Sequence, residues 1–187
     1  MAFDIYSSLP IDTASKEIRL IKLIPGREDE PISCIFHRYV LGSPDLEYTA
    51  LSYTWGDPES TKYTILINNH AFNVRQNLWH FLKQGRQFGR CGLLWIDAIS
   101  VDQSNIKERN HQVALMRDIY SQASHVFIWL GLAAEESDCA IKRIRRFPSK
   151  QARKPSHPIW SYREGRAILA LFSRKYWRRV WITQEIV

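Results

Sequence analysis

Two carboxylates, Asp57 and Asp97, stand at strand ends where ligand crevices form, and a third, Glu185, stands near an aromatic residue. Asp97 interrupts the otherwise apolar run Leu93–Ile99 near its carboxyl end, where open α/β sheets place their ligand crevices. Asp57 closes Trp55-Gly56-Asp57-Pro58, a turn that ends the apolar run from Tyr48, and so marks a second crevice position. Gly56 permits close backbone approach there, and Trp55 offers a ring. A purely structural turn is the competing account, and for Asp97 a carboxylate capping the next turn. Glu185 follows Trp181 by four residues, so on a helix the two share a face, a carboxylate beside an aromatic suited to stacking a base or ring. The competing account is a surface ion pair with Lys175, Arg178 or Arg179. Gln103 and Gln112 read as structural hydrogen-bonders. The six histidines show no paired metal spacing, no Gly-rich phosphate loop exists, and Cys34, Cys91 and Cys139 read as ordinary reduced thiols. The expectation is no metal and no bound cofactor.

These residues need a scaffold, and the stretch Leu93–Gly131 supplies it. Two short apolar runs, Leu93–Ile99 and His125–Gly131, flank one amphipathic helix, a βαβ unit. The first run does not alternate, so both faces of its strand should be covered, as in a parallel, helix-covered sheet. Between the runs, Ile106, Val113, Met116, Ile119, Tyr120 and Ala123 recur on a helical stripe that mostly excludes Lys107, Glu108, Arg109 and Arg117. Asn105, with Glu108 three residues on, reads as the N-terminal cap. Upstream, residues 17–24 and 32–41 read as strands joined through a turn at Pro25-Gly26, an antiparallel N-terminal addition over 1–47. Thr64–Ile67 and Ala71–Val74 around Asn68-Asn69-His70 read as a hairpin, and Gln76–Phe88 as a helix with Leu78, Phe81, Leu82 and Phe88 on one side. Helices are expected over 135–147 and 164–173, with a loop over 147–158. The fold expected is an α/β, flavodoxin-like parallel sheet flanked by helices, built as one domain over 1–187: an α/β core from 48 to 187 carrying a helical insertion at about 132–172. Asp57, Asp97 and Gly131 should then lie along one carboxyl edge of the sheet.

Composition narrows the class. With 187 residues, 45% of them apolar, the chain can bury a sizeable core. Nothing approaches the ~18 consecutive apolar residues of a membrane span, and Asp4, Asp12 and Glu17 interrupt any N-terminal signal core, so a soluble, cytoplasmic protein without membrane partners is expected. The net charge of +7 is uneven: residues 137–187 hold 13 Lys/Arg against 3 Asp/Glu. The cluster from Lys142 to Lys154 suits phosphate contact, but no nucleic-acid motif accompanies it, and a solvated helix and loop is the better reading.

Four ordered blocks carry a resemblance to the fungal heterokaryon-incompatibility (HET) domain: Tyr48–Asp57, Leu94–Gln103, Glu108–Tyr120 with Ala123 and Val126–Gly131, and Trp177–Glu185. Ser100 stands where that family usually shows Cys. The family is tied to self/non-self recognition and programmed cell death. It looks distantly similar to Toll/interleukin-receptor (TIR) domains, whose spacing Ser173, Tyr176, Trp181 and Glu185 keep, although Arg179, Ile182 and the long segment 132–172 depart from the TIR pattern. Many TIR domains cleave NAD with a single Glu. The resemblance puts that role at Glu185 and substrate contacts at Trp55, Gly56, Asp57, Asp97, Tyr176 and Trp181. NAD or a related nucleotide would be substrate, with self-association and a signalling protein as partners. The rival implied by the same resemblance is a non-catalytic TIR-like module that works by self-association.

Overall fold

The computed structural model describes residues 4–88, 92–146 and 160–179. They fall into two compact units, one running to Gly131 and the other from Leu132 to Arg179.

The first unit is a seven-stranded sheet formed by β1 (Glu17–Leu23), β2 (Ser33–Val40), β3 (Thr49–Tyr53), β4 (Lys62–Ile67), β5 (His70–Arg75), β6 (Leu93–Trp95) and β7 (His125–Trp129). Their order across the sheet is β5-β4-β2-β1-β6-β3-β7. β6, β3 and β7 are mutually parallel, β2 pairs parallel with β4, and only β1 and β5 run against the rest. The architecture is therefore the expected α/β fold, a mostly parallel sheet flanked by helices. The N-terminal antiparallel pair is not appended to it: β1 lies in the middle, joined to β2 along its whole length and to β6 on its other side. Its sequence explains the position, because Ile18, Leu20, Ile21 and Leu23 are all buried, as a central strand covered on both faces requires.

Alternation sends neighbouring strand residues into two separate cores. Ile21, Leu51, Tyr53, Leu94 and Ile96 pack on one side with Leu78, Phe81 and Leu82 of α1 (Gln76–Phe88). Ile18, Leu20, Ala50 and Trp95 pack on the other with Leu115, Met116, Ile119 and Tyr120, which lie on a long helix, Ile106–Ser121. The β4–β5 hairpin turns through Asn68 and Asn69, both at positive φ (50° and 65°), the conformation of a two-residue type I′ turn.

Two local expectations are corrected. The apolar run Leu93–Ile99 is a strand only as far as Trp95; residues Asp97–Ser100 form a single helical turn, α2. The Ile99 and Ser100 N–H groups donate to the Ile96 carbonyl, and the Ile96 N–H donates to the Ser100 hydroxyl (3.1 Å). Ile96 and Ile99 stay fully buried in this form, so hydrophobicity alone could not separate strand from turn. The second correction concerns the helix Ile106–Ser121, here α3. Asn105 caps it as expected by accepting the Glu108 N–H, but the buried face is rotated. Ile106 and Val113 are exposed, at 64% and 43%, while Glu108 and Gln112 turn inward. Glu108 meets Arg19 of β1, and the Gln112 amide donates to the Glu17 carbonyl (2.8 Å), so β1 supplies partners that let these two polar side chains be buried on the same face as Leu115, Met116, Ile119 and Tyr120.

The second unit pairs α4 (Ser137–Arg145) with α5 (Tyr162–Phe172) and ends in a 3₁₀ turn, Lys175–Arg178. Ala140, Ala167, Ile168, Leu171 and Tyr176 are buried in it. A capping box between Ser161 and Glu164 starts α5, and Glu164 also pairs with Arg143 of α4 at 3.3 Å. Hydrogen bonding to Ser161 holds the Glu164 carboxyl below its usual range.

Candidate functional site at the carboxyl edge of the sheet

Register fixes which residues meet at the edge. Thr49–Tyr53 pairs in step with His125–Trp129, and Ala50 pairs with Trp95, so Trp55, Asp97 and Gly131 each follow the end of a parallel strand by two residues. All three loops therefore emerge on one edge, as the βαβ reading requires.

Side chains tie these loops together. The Trp55 indole Nε1 donates to Asp97 Oδ2 (2.8 Å), while Asp97 Oδ1 accepts the Ala98 N–H (2.7 Å). Gln103 Nε2 donates to the Asp97 carbonyl (3.0 Å), which draws the far end of the same loop back. From the start of α1, Asn77 Nδ2 donates to the Thr54 carbonyl (2.6 Å) and hydroxyl (3.1 Å), and Asn77 Oδ1 accepts from Trp129 Nε1 (2.9 Å). Asp97 thus has both carboxylate oxygens engaged and acts as a positioning residue for Trp55 and its own loop. Gly56 has φ +83°, with nothing within 4 Å of where a Cβ would stand, so its requirement for glycine is conformational. Asp57 forms the turn that follows, accepting the Glu59 N–H (3.0 Å).

Beside Trp55 lies a cleft of about 210 Å³ lined by Tyr53, Trp55, Lys62, Asn73, Val74, Arg75, Leu78, Ala98 and Gln103. The Arg75 guanidinium sits over the Trp55 ring, 5.4 Å from its centroid, and donates to the Gly56 carbonyl (3.2 Å). The arrangement presents an aromatic face, two cations and a side-chain amide, a set suited to an anionic ligand that carries a ring. Among the described residues no group of three or more His, Cys, Asp or Glu is placed to hold a metal ion, and no helix is long and apolar enough to cross a membrane.

Of the residues singled out from sequence, Trp55, Gly56, Asp57 and Asp97 gather at this edge. Tyr176 belongs to the helical unit, where its ring is 2% exposed, edge-on to Trp177 and under the Arg179 guanidinium. Trp181 and Glu185 lie outside the described residues. Sequence reasoning misses Asn77, Lys62 and Arg75. A signal for two of them is present: counting outward from the Asn68-Asn69 turn puts Lys62 directly opposite Arg75.

The edge is built almost entirely from one stretch of chain, and that stretch matches a known family. The heterokaryon incompatibility protein (HET) family model matches residues 48–185. The chain belongs to the HET family. The match begins at the residue before β3 and takes in every residue of the cleft and its clasps. A curated relative, heterokaryon incompatibility protein 6, OR allele, from Neurospora crassa, is 36% identical over 147 residues, which are 71% of this chain and 21% of the relative. The chain thus spans about a fifth of that relative's length. No solved structure matches this HET chain.

Proposed function

We propose that this chain is an effector domain in fungal heterokaryon incompatibility and programmed cell death, and that it hydrolyses NAD at the nicotinamide glycosidic bond. Membership of the HET family supports the first part. The observation that supports the second is the Trp55–Asp97 bond, which fixes an aromatic ring at the carboxyl edge of parallel strands, beside a cationic cleft. In this reading NAD is the substrate and the domain needs no bound cofactor. Nicotinamide leaves a cationic ring as a neutral base, so no strong general acid is required. The Glu185 carboxylate stabilises the oxocarbenium-like ribose and holds its hydroxyls. Water then adds to the anomeric carbon and releases a proton, giving nicotinamide and ADP-ribose. Trp55 and Gly56 line the mouth with Asp57, Asp97 sets the loop, and Trp181 adds a substrate contact, while Tyr176, buried in the helical unit, serves that unit's core. The protein works in the cytoplasm, with self-association and a signalling protein completing the response.

A second reading is a non-catalytic signalling module acting by self-association. It is favoured by β7, one of the two edge strands among the described residues, which leaves Phe127 and Ile128 exposed at 53% and 37%. Purified protein incubated with NAD over a range of protein concentrations separates the two. Hydrolysis predicts free nicotinamide, with specific activity rising with concentration if neighbouring copies complete the pocket. A flat baseline at high concentration and with crowding supports the signalling module.

A further inference from the structure

Lys62 and Arg75 occupy an energetically costly arrangement. They are directly opposed across the antiparallel β4–β5 pair, at the open end of the hairpin. Directly opposed residues project to the same face with Cβ atoms about 5 Å apart, and like charges in that position repel. Neither side chain has a carboxylate partner among the described residues: Lys62 is exposed and unpaired, and Arg75 makes one hydrogen bond, to the Gly56 carbonyl, while covering Trp55. Both line the same cleft, and they are the only charged residues among those lining it. Of the carboxylates in the adjoining loops, Asp97 is held by Trp55 and Ala98 and Asp57 accepts the Glu59 N–H, and neither they nor Glu59 form an ion pair with Lys62 or Arg75 among the described residues. A pair of cations held together without a counter-charge, beside an aromatic plane and the Gln103 amide, is stabilised by an anion that bridges them.

We infer that Lys62 and Arg75 form a phosphate clamp and that Trp55 is the platform for the ring or sugar next to that phosphate. This rests on the nucleotide reading of the same edge and assigns its phosphate-binding residues. Size decides how much of a ligand enters. At about 210 Å³ the cleft is smaller than the ~300–1,000 Å³ of sites that bury a whole drug-sized ligand, so it takes a phosphate and part of its neighbour while the rest of a dinucleotide runs along the loops at the edge. A pyrophosphate meets the clamp better than a monophosphate, because each cation can then hold a different phosphate oxygen set.

The test is calorimetric titration of the full chain with ADP-ribose, inorganic pyrophosphate and uncharged adenosine, for wild type, Lys62→Gln, Arg75→Gln and, as a control cation away from the cleft, Lys83→Gln. The clamp predicts binding of the two anionic probes, loss of about tenfold or more in affinity with each clamp variant, no effect of Lys83→Gln, and little binding of adenosine. Thermal melts without ligand should show Lys62→Gln as stable as wild type or more so, since a repulsion is removed; a lost structural contact would move the melt the other way. Equal ADP-ribose binding by wild type and both clamp variants overturns the inference. So does a wild type that binds neither anionic probe at millimolar concentration. Pyrophosphate binding that depends on both cations, together with intact NAD after incubation, keeps the clamp and refutes hydrolysis. Nicotinamide release with an unchanged KM in both variants does the reverse.

Discussion

Replacing Glu108 by Gln tests whether the buried pair with Arg19 organises the loop that carries Asp97 and Gln103. The Arg19 side chain is 1% exposed and that of Glu108 7%, with Nη1 to Oε1 at 2.5 Å and Nη2 to Oε2 at 3.0 Å. Arg19 also donates to the carbonyls of Leu9 (2.7 Å) and Ser100 (3.3 Å) and lies over the Tyr6 ring, while Glu108 accepts the Asp102 N–H (2.7 Å). The pair therefore joins the N-terminal segment, β1, the end of α2 and the start of α3. Glu108→Gln preserves shape and an acceptor for Asp102 but strands a guanidinium in the interior, at a cost of about 3–5 kcal/mol. Against a total of ~5–15 kcal/mol for a typical domain, that is a large fraction. The double variant Arg19→Met/Glu108→Leu contains no buried charge. Its cost should fall short of the sum of the Arg19→Met and Glu108→Leu costs by about 2 kcal/mol, even though the Leu9 and Ser100 carbonyls lose their donor. Urea unfolding followed by tryptophan fluorescence measures all four. A loss under ~1 kcal/mol for Glu108→Gln, or strictly additive single costs, would refute the claim that this pair acts as one buried unit.

Other outcomes follow from particular contacts. Asn77→Leu removes three hydrogen bonds and leaves the Trp129 indole N–H and Thr54 carbonyl unpaired, so urea unfolding should show a loss of about 1–3 kcal/mol, with weakened ADP-ribose binding because the Thr54–Trp55 turn loosens. Gly56→Ala should cost about 1–2 kcal/mol from left-handed backbone strain alone, since the position is sterically open; a neutral melt would show that the turn can relax. Burial raises the phenols of Tyr6 and Tyr48 above their ordinary value of 10.0. Their folded-state affinity for the proton exceeds the unfolded one, so this stability is complete below pH 10 and is lost as pH rises beyond it. Spectroscopic titration should find two tyrosines that ionise only with alkaline unfolding, and full ionisation of every tyrosine in the folded protein near pH 10 would contradict the burial argument.

Elements with local signatures are legible in the sequence itself. α1 has the bounds its periodicity predicts, the Asn68-Asn69 turn fixes the hairpin, and Asn105 caps α3. The carboxyl-edge placement of Trp55, Asp97 and Gly131 follows from strand order in a βαβ unit. What is illegible depends on partners distant in sequence. Glu108 looks like a surface residue until Arg19, 89 residues earlier, supplies its counter-charge. Ile106 and Val113 look like core, but α3 buries its face against β1, whose own needs cannot be read from the helix. Ile96–Ile99 is an exception of another kind: it is apolar enough for a strand, and the bonds that favour the turn, such as the Ser100 hydroxyl at the Ile96 N–H, are local but leave no mark in its hydrophobicity. Asn77 reads as an ordinary first-turn residue, since its partners Thr54 and Trp129 come from two other strands and their ends. The site is thus visible in sequence as a set of strand ends, and invisible as a set of clasps.

The central proposal turns on one carboxylate. Glu185→Gln keeps size and much of the hydrogen bonding but removes the charge that would stabilise a developing ribosyl cation. Measured side by side with wild type, nicotinamide release from NAD should fall by at least ~10²-fold while the thermal melt stays nearly unchanged. Release by the Gln variant at a rate similar to wild type would contradict the assignment of Glu185, and intact NAD with the wild type at high protein concentration would contradict hydrolysis itself.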